Sequence, residues 1–167
     1  GQLLSPLLLA FALKFGTKSK AVLIAAVIGF ITTFVGHGVY AVGLWPTPSH
    51  FYGMTTTLLG VEYQTARILL HVFGLIDFLI CIGLFFPRLR RPCLLYAIVW
   101  GALTSIARPA AGMSLELNYW GADLYLHEML LRAPHFLIPL YLYLFFRPSA
   151  TGIANSSAKK VQQNKIA

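Results

Sequence analysis

The strongest constraint in this chain is where its basic residues stand relative to four apolar stretches. These stretches run from Ala21 to about Gly43, from about Ala66 to Phe86, from Cys93 to about Ala107, and from about Met129 to Phe146. Lys14, Lys18 and Lys20 precede the first. Arg88, Arg90 and Arg91 separate the second from the third. Arg147, Lys159, Lys160 and Lys165 follow the fourth. The two intervening loops, 44–65 and 109–126, hold no Lys or Arg but carry Glu62, Glu116 and Asp123. An α-helix needs roughly 20 apolar residues to cross a bilayer core. Three of the stretches approach or exceed that length; the third reaches it if Arg108 snorkels and the helix continues. By the positive-inside rule, the alternation predicts four crossings with both termini cytoplasmic, most naturally in a bacterial cytoplasmic membrane.

Composition agrees. Charged residues make up 11% of the 167 residues and hydrophobic ones 57%, whereas soluble domains carry about 25% charged residues. The net charge of +8 is placed to orient helices and meet anionic lipid headgroups, which argues against a nucleic-acid partner. Tyr40, Trp45, Phe51, Tyr52, Tyr119, Trp120 and Tyr125 fall near the expected outer boundary, and Phe85, Phe86, Phe145 and Phe146 near the inner one. Aromatic rings concentrate at such interfaces.

The expected fold is therefore all-α: a bundle of four transmembrane helices over residues 21–147. Residues 1–20 form a cytoplasmic segment and 148–167 a flexible cytoplasmic tail. Gln2 to Phe15 is apolar but short. It reads as an interfacial or re-entrant segment, or as the end of another span if residues precede Gly1. Cys81 and Cys93 show no metal-ligand spacing and read as packing residues.

Ionisable side chains inside a span are costly and mark candidate sites. The first stretch carries His37. The second carries Arg67, His71 and Asp77, the third ends at Arg108, and the fourth carries Glu128, Arg132 and His135. With the topology above, all eight lie in the outer half of the bundle, Asp77 about 15 Å deeper than Arg67. Glu128, Arg132 and His135 are spaced i, i+4, i+7 and share a face, as do Arg67 and His71. Gly29, Gly36, Gly38 and Gly43 in the first helix permit close approach of a helix or a flat ligand. Pro134 frees a carbonyl one turn earlier, so a kink is expected near Arg132 and His135. Two readings follow from this set: an interhelical salt-bridge network, or a ligand cavity open to the outer leaflet. His127, at the boundary, reads as solvated, and His50, in an outer loop, reads as a residue without a special role.

Gly36-His37-Gly38-Val39-Tyr40-Ala41 resembles the GHG-type signature of DoxX-like membrane proteins. So does the stretch from Asp77 to Trp100, with Gly-Leu-Phe-Phe-Pro at 83–87 and Leu-Leu-Tyr-Ala at 94–97. The segment from His127-Glu128 to His135 with Leu137-Ile138-Pro139 fits the same pattern. The resemblance covers about residues 21–147 and implies a compact four-helix membrane bundle. One branch of the family resembles a subunit of thiosulfate:quinone oxidoreductase, and others accompany redox systems. The leading expectation is a redox-associated bundle with a quinone site, the histidines and arginines donating to the quinone and Asp77 and Glu128 relaying protons. An alternative is a non-catalytic accessory subunit of a larger membrane complex. A second alternative is a haem b bundle, with histidines on the iron and arginines on the propionates. Zinc ranks below these, because no helix offers a two-ligand His spacing. A transporter also ranks below them, because there is no inverted repeat.

Overall fold

The computed structural model describes residues 5–113 and 120–147, and these are helical with short connections. The tail at 148–167, together with Glu116 and Tyr119, lies outside the described residues. Among the described residues, seven helices follow in order: α1 (Ser5–Phe15), α2 (Lys20–Ala41), α3 (Ser49–Leu59), α4 (Tyr63–Gly83), α5 (Pro87–Gly112), α6 (Trp120–Leu131) and α7 (Pro134–Phe145).

Three of them, α2, α4 and α5, are long and apolar enough to cross a membrane. Local chemistry sets their starts. Ser19 caps α2, its hydroxyl accepting from the Val22 amide at 3.3 Å; this satisfies one of the donors a helix start leaves open. α5 begins with Pro87, whose missing N–H costs nothing at that position. Gly43 and Gly60 close α2 and α3 with positive φ of 75° and 61°, which glycine adopts without strain.

The boundaries correct the sequence expectation in two places. The third apolar stretch, expected over 93–107, is a helix of 26 residues from Pro87 to Gly112. Arg108 therefore sits inside α5, not at its end. The fourth, expected as one span over 129–146, is two helices of 12 residues each, broken at Arg132–Ala133. Pro134 cannot donate to the carbonyl of Leu130, and the chain breaks where a kink was expected. The exposed Arg132 carbonyl is then met from three sides. It lies 2.8 Å from the His135 amide, 3.0 Å from His135 Nδ1 and 3.3 Å from the Ser105 hydroxyl of α5.

Glycines set the helix crossings. α2 meets α4 where Gly38 faces Gly74: a Cβ on Gly38 would lie 3.0 Å from the Gly74 carbonyl oxygen. α5 meets α7 at Gly101, where a Cβ would lie 2.5 Å from the His135 carbonyl oxygen. Pro139 leaves that same carbonyl without its helical donor. Gly36, expected to share this role, has open space around it. The core between these helices is Phe30, Phe34, Ile80, Leu84, Leu94, Ile138 and Leu142, with small Ala26 and Ala97. Large apolar side chains such as Leu75, Leu79, Leu95 and Val99 point outward.

One end of the bundle is basic and pinned by arginine and tyrosine. Arg90 donates from Nε to the Leu84 carbonyl at 2.9 Å and lies over the Phe146 ring at 4.2 Å. Arg91 donates to the Tyr143 hydroxyl at 3.0 Å, and Tyr141 donates to the Thr17 carbonyl at 2.6 Å. These contacts tie the start of α5 to the end of α7 and to the segment before α2. His37, Arg67, Arg108, Glu128 and Arg132 stand towards the opposite end, whereas Asp77, expected in that same half, lies nearer the Gly83 end of α4.

Candidate functional site

α4 and α5 stand apart over much of their length, and α3 packs across both. The space they enclose is a cavity of about 420 Å³. Its walls are mostly apolar. Phe51, Met54 and Leu58 come from α3, Leu69 and Phe73 from α4, and Leu103, Ala107 and Ala110 from α5. Phe73 of α4 and Trp100 of α5 also line it, their rings stacked on one another with centroids 4.2 Å apart. The polar residues lining the cavity are His37, Asp77 and Arg132, with Thr55 and Thr104.

Asp77 is 2% exposed, and its Oδ1 accepts no hydrogen bond. His37 is half-buried; its ring lies 4.9 Å from that of His135 and 6.3 Å from that of Phe51. His135 is buried behind it. The Arg132 carbonyl can only accept, so His135 Nδ1 carries the proton in that contact, and in the neutral ring Nε2 is left as an acceptor.

A second group stands beside the cavity. Arg108, buried at 8% exposure, forms an ion pair with Glu128 of α6 through Nη1. Its Nη2 donates to His50 Nε2 of α3 at 3.0 Å, and its Nε has no partner. His50, read from sequence as an outer-loop residue without a special role, thus holds α3 to α5. Its pKa lies below the ordinary 6.5 because burial disfavours the charged ring, with Arg108 and Arg132 adding to the effect and Glu128 opposing it. His127 is exposed, as expected.

The eight residues singled out by sequence therefore separate. His37, Asp77 and Arg132 share the cavity, and His135 backs it. Arg108 and Glu128 pair with one another. Arg67 is exposed, and His71 bonds through Nδ1 to the Arg67 carbonyl of its own helix at 2.8 Å; neither lines the cavity. Their spacing does put them on one face, but that face does not line the cavity. The Phe73–Trp100 stack and the helix α3 had no signal beyond single aromatic residues and a polar loop.

The cofactor alternatives meet geometric limits. A porphyrin held by two histidines must pass between them, and the His37 and His135 rings are in contact. His71 belongs to another surface. This histidine set does not fit a bis-histidine haem. Among the described residues, no three His, Cys, Asp or Glu side chains are placed to hold a metal ion. No protein-family model, curated protein or solved structure matches the chain.

Proposed function

We propose that this chain is a DoxX-like membrane protein whose cavity takes a quinone or a similar flat, membrane-soluble ring, and that it works beside a redox partner. The carrying observation is the cavity itself: about 420 Å³, apolar on its walls and edged by His37, Asp77 and Arg132. That volume falls in the usual small-molecule range of about 300–1,000 Å³. The Phe73–Trp100 stack suits a planar ring. His37 and Arg132 offer N–H donors to a ring carbonyl, and histidine and carboxylate suit proton exchange when the ring changes redox state. No side chain here carries electrons, so turnover requires a partner subunit.

In this reading α2, α4 and α5 make three crossings, and α7 with the end of α6 makes the fourth. The basic end faces the cytoplasm of a bacterial cell, with both termini on that side. The segregation of basic residues supports this. Cysteine labelling at Lys18 and at Thr57 from opposite sides of sealed vesicles tests it.

An accessory-subunit role is the second reading. It is favoured by one observation: Arg108 and Glu128 are engaged with each other and His50, as an architectural network would be. Equilibrium dialysis of the purified protein in mild detergent against a decyl-benzoquinone separates the readings, with a reduced-minus-oxidised ultraviolet spectrum of the bound fraction. Saturable binding near one ring per chain is expected. A flat spectrum with no retained ring would move the assignment to the accessory role.

A further inference from the structure

One cation at the cavity has no counter-charge. Arg132 lines the cavity at the break between α6 and α7. Its backbone is engaged: the amide donates to the Glu128 and Met129 carbonyls, and the carbonyl takes the contacts from Ser105 and His135 described above. Its guanidinium is not. Among the described residues it forms no hydrogen bond and no ion pair. Glu128 stands one turn before it, but the ion pair of Glu128 is with Arg108. Asp77, on the cavity wall, forms no ion pair among the described residues. Two guanidinium groups thus stand here against one paired carboxylate. The charge of Arg132 reaches as far as α3, where it helps to depress the pKa of His50.

The surroundings make that charge consequential. The walls are mostly apolar, and a charge without a partner is costly beside them. The cavity is open along the rim where Leu59, Leu103 and Ile106 stand, each lining it and each more than half exposed. In the membrane reading above, that rim meets lipid, and an occupant can leave an apolar tail there. An apolar body with one anionic group and a tail matches the wall, the cation and the opening together.

We infer that the cavity takes an acidic ring in its anionic form, a quinone bearing one ionised hydroxyl beside a carbonyl, and that Arg132 binds the anion. The ring rests on the quinone-type reading of the site; the negative charge rests on Arg132. A neutral quinone offers the guanidinium a carbonyl dipole and leaves its charge uncompensated. An ionised oxygen next to a carbonyl offers two adjacent acceptors, and these suit the planar fork of guanidinium donors as a carboxylate does.

The test is equilibrium dialysis of the full chain in mild detergent at neutral pH, with empty micelles as the blank. Three probes carry the same decyl tail: a hydroxyl-bearing benzoquinone, its methyl ether, and undecanoate, in which the tail ends in a carboxylate. The hydroxyl-bearing ring is ionised and the ether is not. The ionised ring should bind about tenfold or more tightly than the ether, the scale of a hydrogen bond to a charged group. Arg132→Gln keeps a donor and removes the charge, so the ratio should fall towards one. If that variant does not fold, the two rings are compared on the unaltered chain at neutral pH and at a pH low enough to protonate the ring hydroxyl, where the ratio should collapse. Equal binding of the two rings at neutral pH, or a ratio that Arg132→Gln leaves intact, overturns the inference and leaves the quinone-site reading standing. Retention of undecanoate with neither ring bound keeps the anion at the cavity and overturns the ring. Retention of none of the three overturns both.

Discussion

Gly101 of α5 lies directly against the backbone of His135 in α7, where a Cβ would come within 2.5 Å of the His135 carbonyl oxygen and 2.8 Å of its carbonyl carbon. Backbone cannot swing aside as a side chain can. Gly101→Ala should therefore separate α5 from α7, move His135 away from His37, and cost about 1–3 kcal/mol as overpacking does. Gly36→Ala is the control, since nothing lies within 4 Å of that position. It should leave stability unchanged or raise it by up to about 1 kcal/mol through helix propensity. Thermal unfolding of the two variants in the same detergent compares them. Equal midpoints would mean that the Gly101 crossing does not hold the bundle.

Arg108 and Glu128 form a pair in which the cation is buried and the carboxylate is about one-third exposed. Arg108→Met removes the partner of both Glu128 and His50. The loss should be about 1–3 kcal/mol, below the range for a fully buried pair, because Glu128 keeps some water. Arg108→Met with Glu128→Met should cost less than the two single changes added together, since neither charge is then stranded. A double-mutant cycle on unfolding midpoints measures this. Strict additivity would show that the ion pair contributes no coupling.

His50 accepts from Arg108 only when its Nε2 is unprotonated. Burial and then the Arg108 and Arg132 charges hold its pKa below 6.5, against the pull of Glu128. With the folded value depressed, the unfolded chain takes up the proton first as pH falls. The stabilising contribution is thus complete above the unfolded pKa of about 6.5 and is lost progressively below it. Backbone amides of α3 should exchange faster at about pH 5 than at about pH 7, after correction for intrinsic rates. His50→Gln keeps an acceptor for Arg108 without titrating, and should flatten the dependence. An unaltered chain whose α3 exchange ignores pH would refute the link between His50 and the docking of α3.

Ala107 sits on the cavity wall facing α3 and α4. Ala107→Phe should fill part of the empty space. Ring retention should fall by at least about tenfold, while the unfolding midpoint shifts little, because the added side chain enters a void and does not displace packed atoms. Dialysis against the decyl-benzoquinone together with thermal unfolding gives both readouts. Undiminished binding would place the ring elsewhere on the protein.

Much of the architecture was legible in the residue order. Apolar runs near 20 residues mark α2 and α4, the grouping of Lys and Arg marks which ends lie together, and Pro134 marks the break between α6 and α7. These are properties of a chain and its local backbone, and neighbours on other helices do not alter them. The spacing of Arg67 and His71 likewise shows that they share a face. It does not show what that face meets, because the rotation of a helix about its axis is set by packing. The contacts at Gly38–Gly74 and Gly101–His135 fix those rotations. They turn Asp77 and Arg132 into the cavity and leave Arg67 exposed. The length of α5 was decided the same way: Arg108 looks like a terminus in the sequence, and the helix runs past it because Glu128 and His50, distant in sequence, meet its guanidinium. Local composition determined which segments are helical; the partners each polar group found in three dimensions decided which of them form a site.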